Sequence, residues 1–362
     1  MPAQIEVMHS GGLSYFVRTL HNLQIVPMIQ LCITAFCRRQ LTTVARLFLF
    51  SVVLFSCSRQ QSGFAETWND DRVMPSTPFA VVLGIAQDAG YPQAGCRKVC
   101  CSDAWQKPSL RRMAACLAVV DPEAGKAWMI DATPDFKDQL YRLGHILPDE
   151  PVSLAGIFLT HAHIGHYTGL MHLGREAMGT KEMPVYAMPR MHSFLENNGP
   201  WSQLVALENI EIHPLCADSA VVLNERLRIV PVPVPHRDEF SETVGYKIEG
   251  PGKTLLYIPD IDKWNLWKRD ILAAVKAVDY ALLDGSFYKN GEIPGRDMSE
   301  IPHPFIVESM ERFEELSASE KGKIHFIHFN HTNPVLLENS EARRSVEGKG
   351  FGIAEEGEVY SL

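Results

Sequence analysis

Short, continuous apolar runs recur along the chain, and several of them end in an aspartate or a histidine just before a turn. These runs cover 79–85, 116–121, 127–131, 155–161, 254–260, 280–284 and 324–329. They are apolar throughout rather than alternating, which is typical of strands whose two faces are both covered. Amphipathic stretches separate some of them, at 135–144, 262–277 and 304–316. The sequence therefore predicts one α/β domain over 79–362.

The composition is that of an ordinary globular protein, with 46% hydrophobic and 21% charged residues among 362. The formal net charge is −9, and the chain has no long basic run. Because non-specific binding to a phosphate backbone needs clustered lysines and arginines, we expect no nucleic-acid partner. We expect a small-molecule or modified-peptide substrate instead.

The first 78 residues differ from the rest of the chain. Arginines precede the apolar run 47–55, which is too short to span a bilayer as a helix. This order is typical of an export signal, and the run ends at Leu54-Phe55-Ser56-Cys57, which resembles a bacterial lipoprotein cleavage box. We predict an export segment over 1–57 with lipidation at Cys57, and a flexible tether over 58–78.

This N-terminal prediction places the protein in the bacterial cell envelope, in contact with the membrane only through its lipid anchor. Two alternatives stay open. The apolar run could be an uncleaved anchor, or it could belong to an upstream extension that is not translated, with Met28 as the true start. Without a real signal, the protein would be cytoplasmic.

Reactive side chains lie at the predicted carboxyl ends of several strands, where α/β proteins build their sites. Three histidines, at 161, 163 and 166, lie within six residues after one apolar run. In an extended segment His161 and His163 point to the same side, and His166 follows where a turn can lead into a helix. Imidazole ligands suit zinc, iron and copper. The sequence therefore predicts a metal site at His161, His163 and His166.

This segment resembles the metallo-β-lactamase superfamily, whose signature is His-x-His-x-Asp-His after a strand. The resemblance implies a four-layer αββα sandwich and a metal-dependent hydrolase. It also implies four further site residues: His236 as the third ligand of the first metal site, Asp260 as a carboxylate bridging two metals, His328 as a ligand of the second site, and Asp131 as a structural aspartate near the metals. His331 is the alternative to His328.

The chain departs from the signature at Gly165, where the family has an aspartate. The first site keeps three histidines and Asp260, which is a full set for a catalytic zinc. The second site keeps only His166, His328 and Asp260. We therefore expect one tightly bound ion and a second that is weak or absent. The ligands favour Zn²⁺, with Fe²⁺ and Mn²⁺ as alternatives.

Within the superfamily, the chain most resembles the coenzyme PQQ synthesis protein B type. This resemblance rests on 82–93 with the cysteines that follow it, and on 284–287, 301–304 and 328–334. It implies an alternative activity, an iron-dependent oxygenase acting on a tyrosine-derived substrate. A carrier with a vestigial metal site is a third alternative.

The leading prediction is hydrolysis of an ester, a phosphodiester or a lactone by water that a metal activates. Asp260 would accept a proton from that water and aim it. His303 would donate a proton to the leaving group, unless it only caps the helix that follows. Asp284 would orient a metal-binding histidine.

Cys96, Cys100 and Cys101 crowd into six positions. Thiolates bind zinc tightly and can hold a loop in place, so these cysteines are candidate ligands of a structural Zn²⁺. The sequence does not identify a fourth ligand. If the protein is exported, a disulfide is the main alternative.

Overall fold

Two seven-stranded sheets pack face to face in the computed structural model, which describes residues 74–147 and 151–362. The strands are β1 (Phe79–Gly84), β2 (Cys116–Asp121), β3 (Lys126–Ile130), β4 (Ser153–Phe158), β5 (Met183–Ala187), β6 (Ile210–Pro214), β7 (Val221–Val222), β8 (Arg228–Pro233), β9 (Val244–Glu249), β10 (Thr254–Ile258), β11 (Tyr280–Asp284), β12 (Ile324–Ile327), β13 (Gly352–Ile353) and β14 (Val359–Ser361).

The first sheet has the order β14-β1-β2-β3-β4-β5-β6, and the second has the order β13-β12-β11-β10-β9-β8-β7. Strands β3 to β6 are parallel to one another, and so are β10 to β13. Because parallel strands end at the same edge of a sheet, the loops after β3 and β4, and those after β10, β11 and β12, emerge on common sides.

Helices lie between the strands in the sequence, and several of them flank the sheets. They are α1 (Val99–Gln106), α2 (Phe136–Gly144), α3 (Ile164–Tyr167), α4 (Pro189–Asn197), α5 (Trp201–Ala206), α6 (Ile271–Lys276), α7 (Ile306–Arg312), α8 (Ala318–Lys321) and α9 (Glu341–Gly348). Strand β1 shows the layering, because its side chains alternate between two cores. Phe79 and Val81 pack with residues of α2, whereas Ala80 and Val82 pack with residues of the second sheet.

This arrangement confirms the predicted αββα sandwich. Each of the seven apolar runs contains a strand. Every residue of β1 and β2 is buried, and so are most residues of β3 and β11, as continuous apolar runs predict. The predicted amphipathic stretch 262–277 is shorter in the structure, where a 3₁₀ turn at Trp264–Leu266 precedes α6. Asp270 caps α6, because its side chain accepts a hydrogen bond from the backbone N–H of Leu272.

The predicted export segment, the lipidation site Cys57 and most of the tether lie outside the described residues, so they stay predictions. Among residues 74–147 and 151–362, no helix is long and apolar enough to cross a membrane.

Gly84 ends β1 at a point where the backbone of residues 113 and 114 passes very close. A Cβ atom at this position would lie 2.0 Å from the carbonyl oxygen of Ala114. We predict that Gly84→Ala lowers the free energy of unfolding by about 1–3 kcal/mol, the usual cost of overpacking. In the control Gly144→Ala, the new Cβ meets nothing within 4 Å. Urea denaturation of both variants should separate them, and equal stabilities would contradict this account of the close approach.

Candidate metal centre

The predicted site residues converge where loops from the two sheets meet. In the first sheet, Asp131 follows β3 and the three clustered histidines follow β4; in the second, His236 follows β8, Asp260 follows β10, and His328 follows β12. Almost all of these side chains are buried, His161, His166, His236, Asp260 and His328 at 5% exposure or less. The apolar strands thus carry seven polar groups into one enclosed region.

Four of these residues form the first position of the centre, which we define as His161, His163, His236 and Asp260. Their ligand atoms all lie within 4.8 Å of one another. The His161 Nε2 atom lies 3.4 Å from Asp260 Oδ2, and His236 Nε2 lies 3.3 Å from Asp260 Oδ1. A tetrahedral zinc with bonds of about 2.0–2.1 Å keeps neighbouring ligand atoms about 3.3 Å apart. The spacing of these atoms therefore suits an ion of this size.

The second position contains His166 and His328, as predicted, together with a carboxylate that the sequence analysis missed. Ligand atoms of Asp88, His166 and His328 all lie within 4.8 Å of one another. The Nε2 atom of His166 lies 3.7 Å from Asp88 Oδ1 and 3.8 Å from Asp260 Oδ2. Asp260 Oδ2 thus faces one histidine of each position, as a bridging carboxylate does.

The buried histidines have one ring nitrogen held by a partner and the other turned into the centre. The Nδ1 atoms of the four rings pair with Thr160 Oγ1 for His161, Asp131 Oδ2 for His166, Asp262 Oδ1 for His236, and Ser286 Oγ for His328, at 2.7–3.0 Å. Such outer partners fix the orientation of metal-binding imidazoles.

The inward-facing atoms supply the test of whether an ion fits. Within this centre, three ring nitrogens and one carboxylate oxygen are buried and have no hydrogen-bond partner among the described residues: the Nε2 atoms of His166, His236 and His328, and Oδ1 of Asp260. Buried polar atoms without partners are costly, typically about 1–3 kcal/mol each. Divalent ions at the two positions would satisfy all four atoms at once, so the residues present fit the metals.

Three residues of the centre adopt a left-handed backbone conformation that is unusual for side chains other than glycine. The φ angles are 71° for Asp131, 68° for His328 and 41° for Asp88. Such backbone strain clusters at functional sites, because the surrounding structure must hold it in place. Each of these residues directly follows a strand or lies in the turn after it, where the chain bends the side chain into the centre.

His303 lies beside the first position with its Nδ1 atom between two carboxylates. Nδ1 is 2.8 Å from Asp284 Oδ2 and 3.1 Å from Asp260 Oδ1. Asp284 also accepts hydrogen bonds from the backbone N–H groups of Ile261 and Ser286. The prediction that Asp284 orients a metal-binding histidine is therefore corrected. It orients His303, because Ser286 occupies the Nδ1 side of His328.

Burial and neighbouring charges act on these groups in opposite directions. Burial opposes a charge on His303, but Asp284 and Asp260 outweigh it and raise the pKa of His303 well above its usual range. Burial also opposes the charge of Asp260, yet the neighbouring rings of His236 and His303 hold its pKa well below the usual value. For His161, burial dominates and lowers the pKa well below the usual value. These effects favour the ionised form of Asp260 and the charged form of His303.

The cysteine cluster lies apart from this centre and gains a fourth member, His331. Ligand atoms of Cys96, Cys100, Cys101 and His331 all lie within 4.8 Å of one another. The Nδ1 atom of His331 is 3.3 Å from the sulfur of Cys101. Cys96 and Cys100 are free, and their sulfurs are 3.7 Å apart, much farther than the about 2.05 Å of a disulfide. His331 is therefore not an alternative to His328, because it faces the cysteines.

Comparison with known proteins identifies the family of the chain. Residues 128–326 match the family model described as the beta-lactamase superfamily domain. The chain is 27% identical over 310 residues to coenzyme PQQ synthesis protein B of Methylorubrum extorquens (strain PA1), covering 78% of this chain and 99% of that protein. The corresponding protein of Methylobacterium sp. (strain 4-46) is 28% identical over 313 residues, with the same shares covered.

Solved structures show the same fold. The Zn²⁺-bound PqqB from Methylobacterium extorquens aligns with a TM-score of 0.66 at 25% identity, covering 78% of this chain and 100% of that chain. A diphosphatase from the PhnP family aligns with a TM-score of 0.54 at 23% identity, covering 79% and 98%. The family model and the relatives confirm the predicted resemblance and, at the level of the superfamily, the predicted class of metal-dependent enzyme, and the solved structures confirm the predicted fold.

We predict that the four residues of the cysteine cluster bind one zinc ion. His331→Ala or Cys96→Ser should then lower the zinc content of the purified protein by about one equivalent and lower its melting temperature, because structural zinc contributes directly to folding. Cys216→Ser is the matched control, since Cys216 is an exposed free thiol. Elemental analysis checks the content, and unchanged zinc in both cluster variants would rule out a site there.

Proposed function

Because the chain belongs to the beta-lactamase superfamily, we propose that it is a metal-dependent hydrolase acting on an ester, a phosphodiester or a lactone. One observation carries this proposal: His303, with its Nδ1 atom held by two carboxylates, lies beside a nearly complete set of metal ligands. A proton donor placed next to a metal position is what a hydrolase needs at the leaving group.

Zn²⁺ is the ion that this ligand set favours, with His161, His163, His236 and Asp260 at the first position and His166 and His328 at the second. A divalent ion held by these residues would supply a bound water with a pKa of about 7 and would polarise the bond to be cleaved. Two of the ligands are almost completely buried, His161 at 1% and Asp260 at 3% exposure, so bulk water has little access to them.

Asp260 would accept the proton that the attacking water loses. Its Oδ1 atom lies 3.3 Å from His236 Nε2 and 3.1 Å from His303 Nδ1. Asp260 would have two roles, as a metal ligand and as the acceptor that orients the water.

His303 would donate a proton to the departing group from Nε2. Nδ1 is hydrogen-bonded to the carboxylate of Asp284 and lies close to that of Asp260, so it keeps its proton on that side of the ring. Nε2 is then the ring atom that can give its proton to a substrate. Asp284 acts through His303 and does not touch the substrate, which makes it a positioning residue.

A second candidate function rests on the likeness to proteins named for coenzyme PQQ synthesis. The relatives match over 99% of their own length, so the resemblance extends beyond the metal ligands. An oxygenase acting on a tyrosine-derived substrate would need iron and oxygen. The His303–Asp284 pair places a proton donor where hydrolysis needs one, at the leaving group. Export to the cell envelope and a small-molecule or modified-peptide substrate remain part of the proposal.

Replacing His303 tests the proton donor. We expect His303→Gln to lower kcat by about 10²–10⁴-fold, the usual contribution of general acid–base catalysis, while KM and zinc content stay close to those of the wild type. The assay would use an aryl phosphodiester, an aryl ester and a lactone. His192→Gln is the control, because His192 pairs with Glu196 on α4 and belongs to none of the candidate ligand groups of the described residues. A normal kcat in His303→Gln would exclude this role.

Oxygen dependence separates the two candidate functions. We expect the zinc-loaded protein to turn over its substrate at the same rate with and without oxygen, because hydrolysis consumes only water. His161→Ala should abolish this turnover, since it removes a ligand of the first position. Turnover that requires both iron and oxygen would overturn the hydrolase proposal in favour of the oxygenase, and full activity in His161→Ala would favour a vestigial site.

A further inference from the structure

We propose that Asp88 is the carboxylate ligand of the second metal position and stands in for the aspartate that Gly165 lacks. This inference rests on the proposed metal centre and identifies a ligand that comes from a different part of the chain. The second position would then have four protein ligands, His166, His328, Asp88 and the shared Asp260. Such a set can hold an ion tightly, in contrast to the weak site expected from the sequence.

The distances support this assignment. Asp88 Oδ1 lies 3.7 Å from His166 Nε2, and its ligand atom lies within 4.8 Å of that of His328. The Nε2 atoms of both histidines are buried and, among the described residues, have no hydrogen-bond partner. Their Nδ1 atoms are held by Asp131 and Ser286. Two oriented nitrogens and one carboxylate thus face the same small volume.

The local packing links Asp88 directly to Gly165. A Cβ atom built on Gly165 would lie 2.4 Å from Asp88 Oδ1 and 2.4 Å from Asp88 Cα. Real Cβ atoms do not approach other atoms this closely, so no side chain fits at 165 while Asp88 is in place. Gly165, which stands where the signature has aspartate, therefore does more than remove a ligand. It opens the space through which a carboxylate from the loop after β1 reaches the same ion.

Hydrogen bonds fix the loop of Asp88 to the segment that carries His328. The backbone N–H of Gln87 donates to the carbonyl of Phe329 at 2.8 Å, and that of Phe329 donates to the carbonyl of Ile85 at 2.8 Å. The side-chain amide of Asn330 also donates to Gln87 Oε1 at 2.6 Å. These hydrogen bonds join the residues next to Asp88 to the residues next to His328. The backbone therefore holds the two chain segments at a fixed distance from each other.

The side chain of Asp88 is 49% exposed, whereas those of His166 and His328 are almost completely buried. Asp88 therefore lies at the open side of the second position. An ion there would be reached from solvent past Asp88, and it would keep room for a substrate oxygen or a water.

Zinc binding by Asp88→Asn tests the assignment, because asparagine keeps the size of the side chain and removes its charge. The full-length protein is dialysed against buffers of graded free Zn²⁺, and zinc per chain is measured by mass spectrometry. We expect the variant to need at least about 10–100-fold more free zinc to bind its most weakly held zinc ion. Mutating even a residue that only orients a metal ligand commonly lowers metal affinity by this factor. Asp138→Asn is the control, because the Asp138 side chain is similarly exposed, at 45%.

A second variant reaches the same position by another route. Gly165→Ala keeps the carboxylate but places a methyl group against it, so it should displace Asp88 and weaken the last zinc equivalent as well. Circular dichroism and the retained zinc of the first position show whether the variant is folded. Loss of zinc in Asp88→Asn alone already supports the assignment if Gly165→Ala does not fold.

The outcomes separate this inference from the function on which it rests. If the wild type binds no more zinc than a His161→Ala His166→Ala variant, the metal centre itself is wrong and both proposals fail. If the wild type fills both positions and the curve of Asp88→Asn coincides with it, Asp88 is not a ligand, and the hydrolase proposal stands without it.

Discussion

The carboxylate of Asp260 is the group around which the rest of the centre is arranged. It is 3% exposed, and its two oxygens face His161 and His166 on one side and His236 and His303 on the other. A buried negative charge is tolerated only where positive charge and hydrogen bonds compensate it. The surrounding imidazoles, and the ions that they can hold, supply that compensation. Moving this carboxylate by an ångström would disturb both metal positions and the proton donor together.

Rigid strands hold the side chains of the centre at fixed positions. The histidines project from the ends of buried strands, and hydrogen-bonded partners on other loops hold their outer ring nitrogens. The left-handed backbone at Asp131 and His328 shows that the fold accepts local strain in order to aim these side chains. The apolar sandwich contributes the stability that offsets such strain, and the loops at its edge contribute the chemistry.

The sequence predicted the site residues that obey a simple rule, and it missed those that do not. His161, Asp260, Asp284 and His328 follow continuous apolar runs, so strand periodicity and the rule of carboxyl-end sites were enough to place them together. Asp262, Ser286 and His331 act through partners that are distant in the sequence, and no local pattern shows which ring nitrogen or sulfur each one meets. For His331, a position three residues after His328 suggested the same site, but the turn between them sends its ring to the cysteines.

Asp88 shows why comparing motifs position by position can mislead about chemistry. By the signature alone, Gly165 removes a ligand and weakens one metal position. In three dimensions the space beside Gly165 is filled by Asp88, whose oxygen lies where the missing side chain would have started. A metal position is defined by donor atoms around a point and not by the order of its ligands in the chain. A side chain at position 165 and the carboxylate of Asp88 cannot occupy the same space. The presence of Asp88 therefore requires a glycine at 165, and the glycine leaves the space that Asp88 fills.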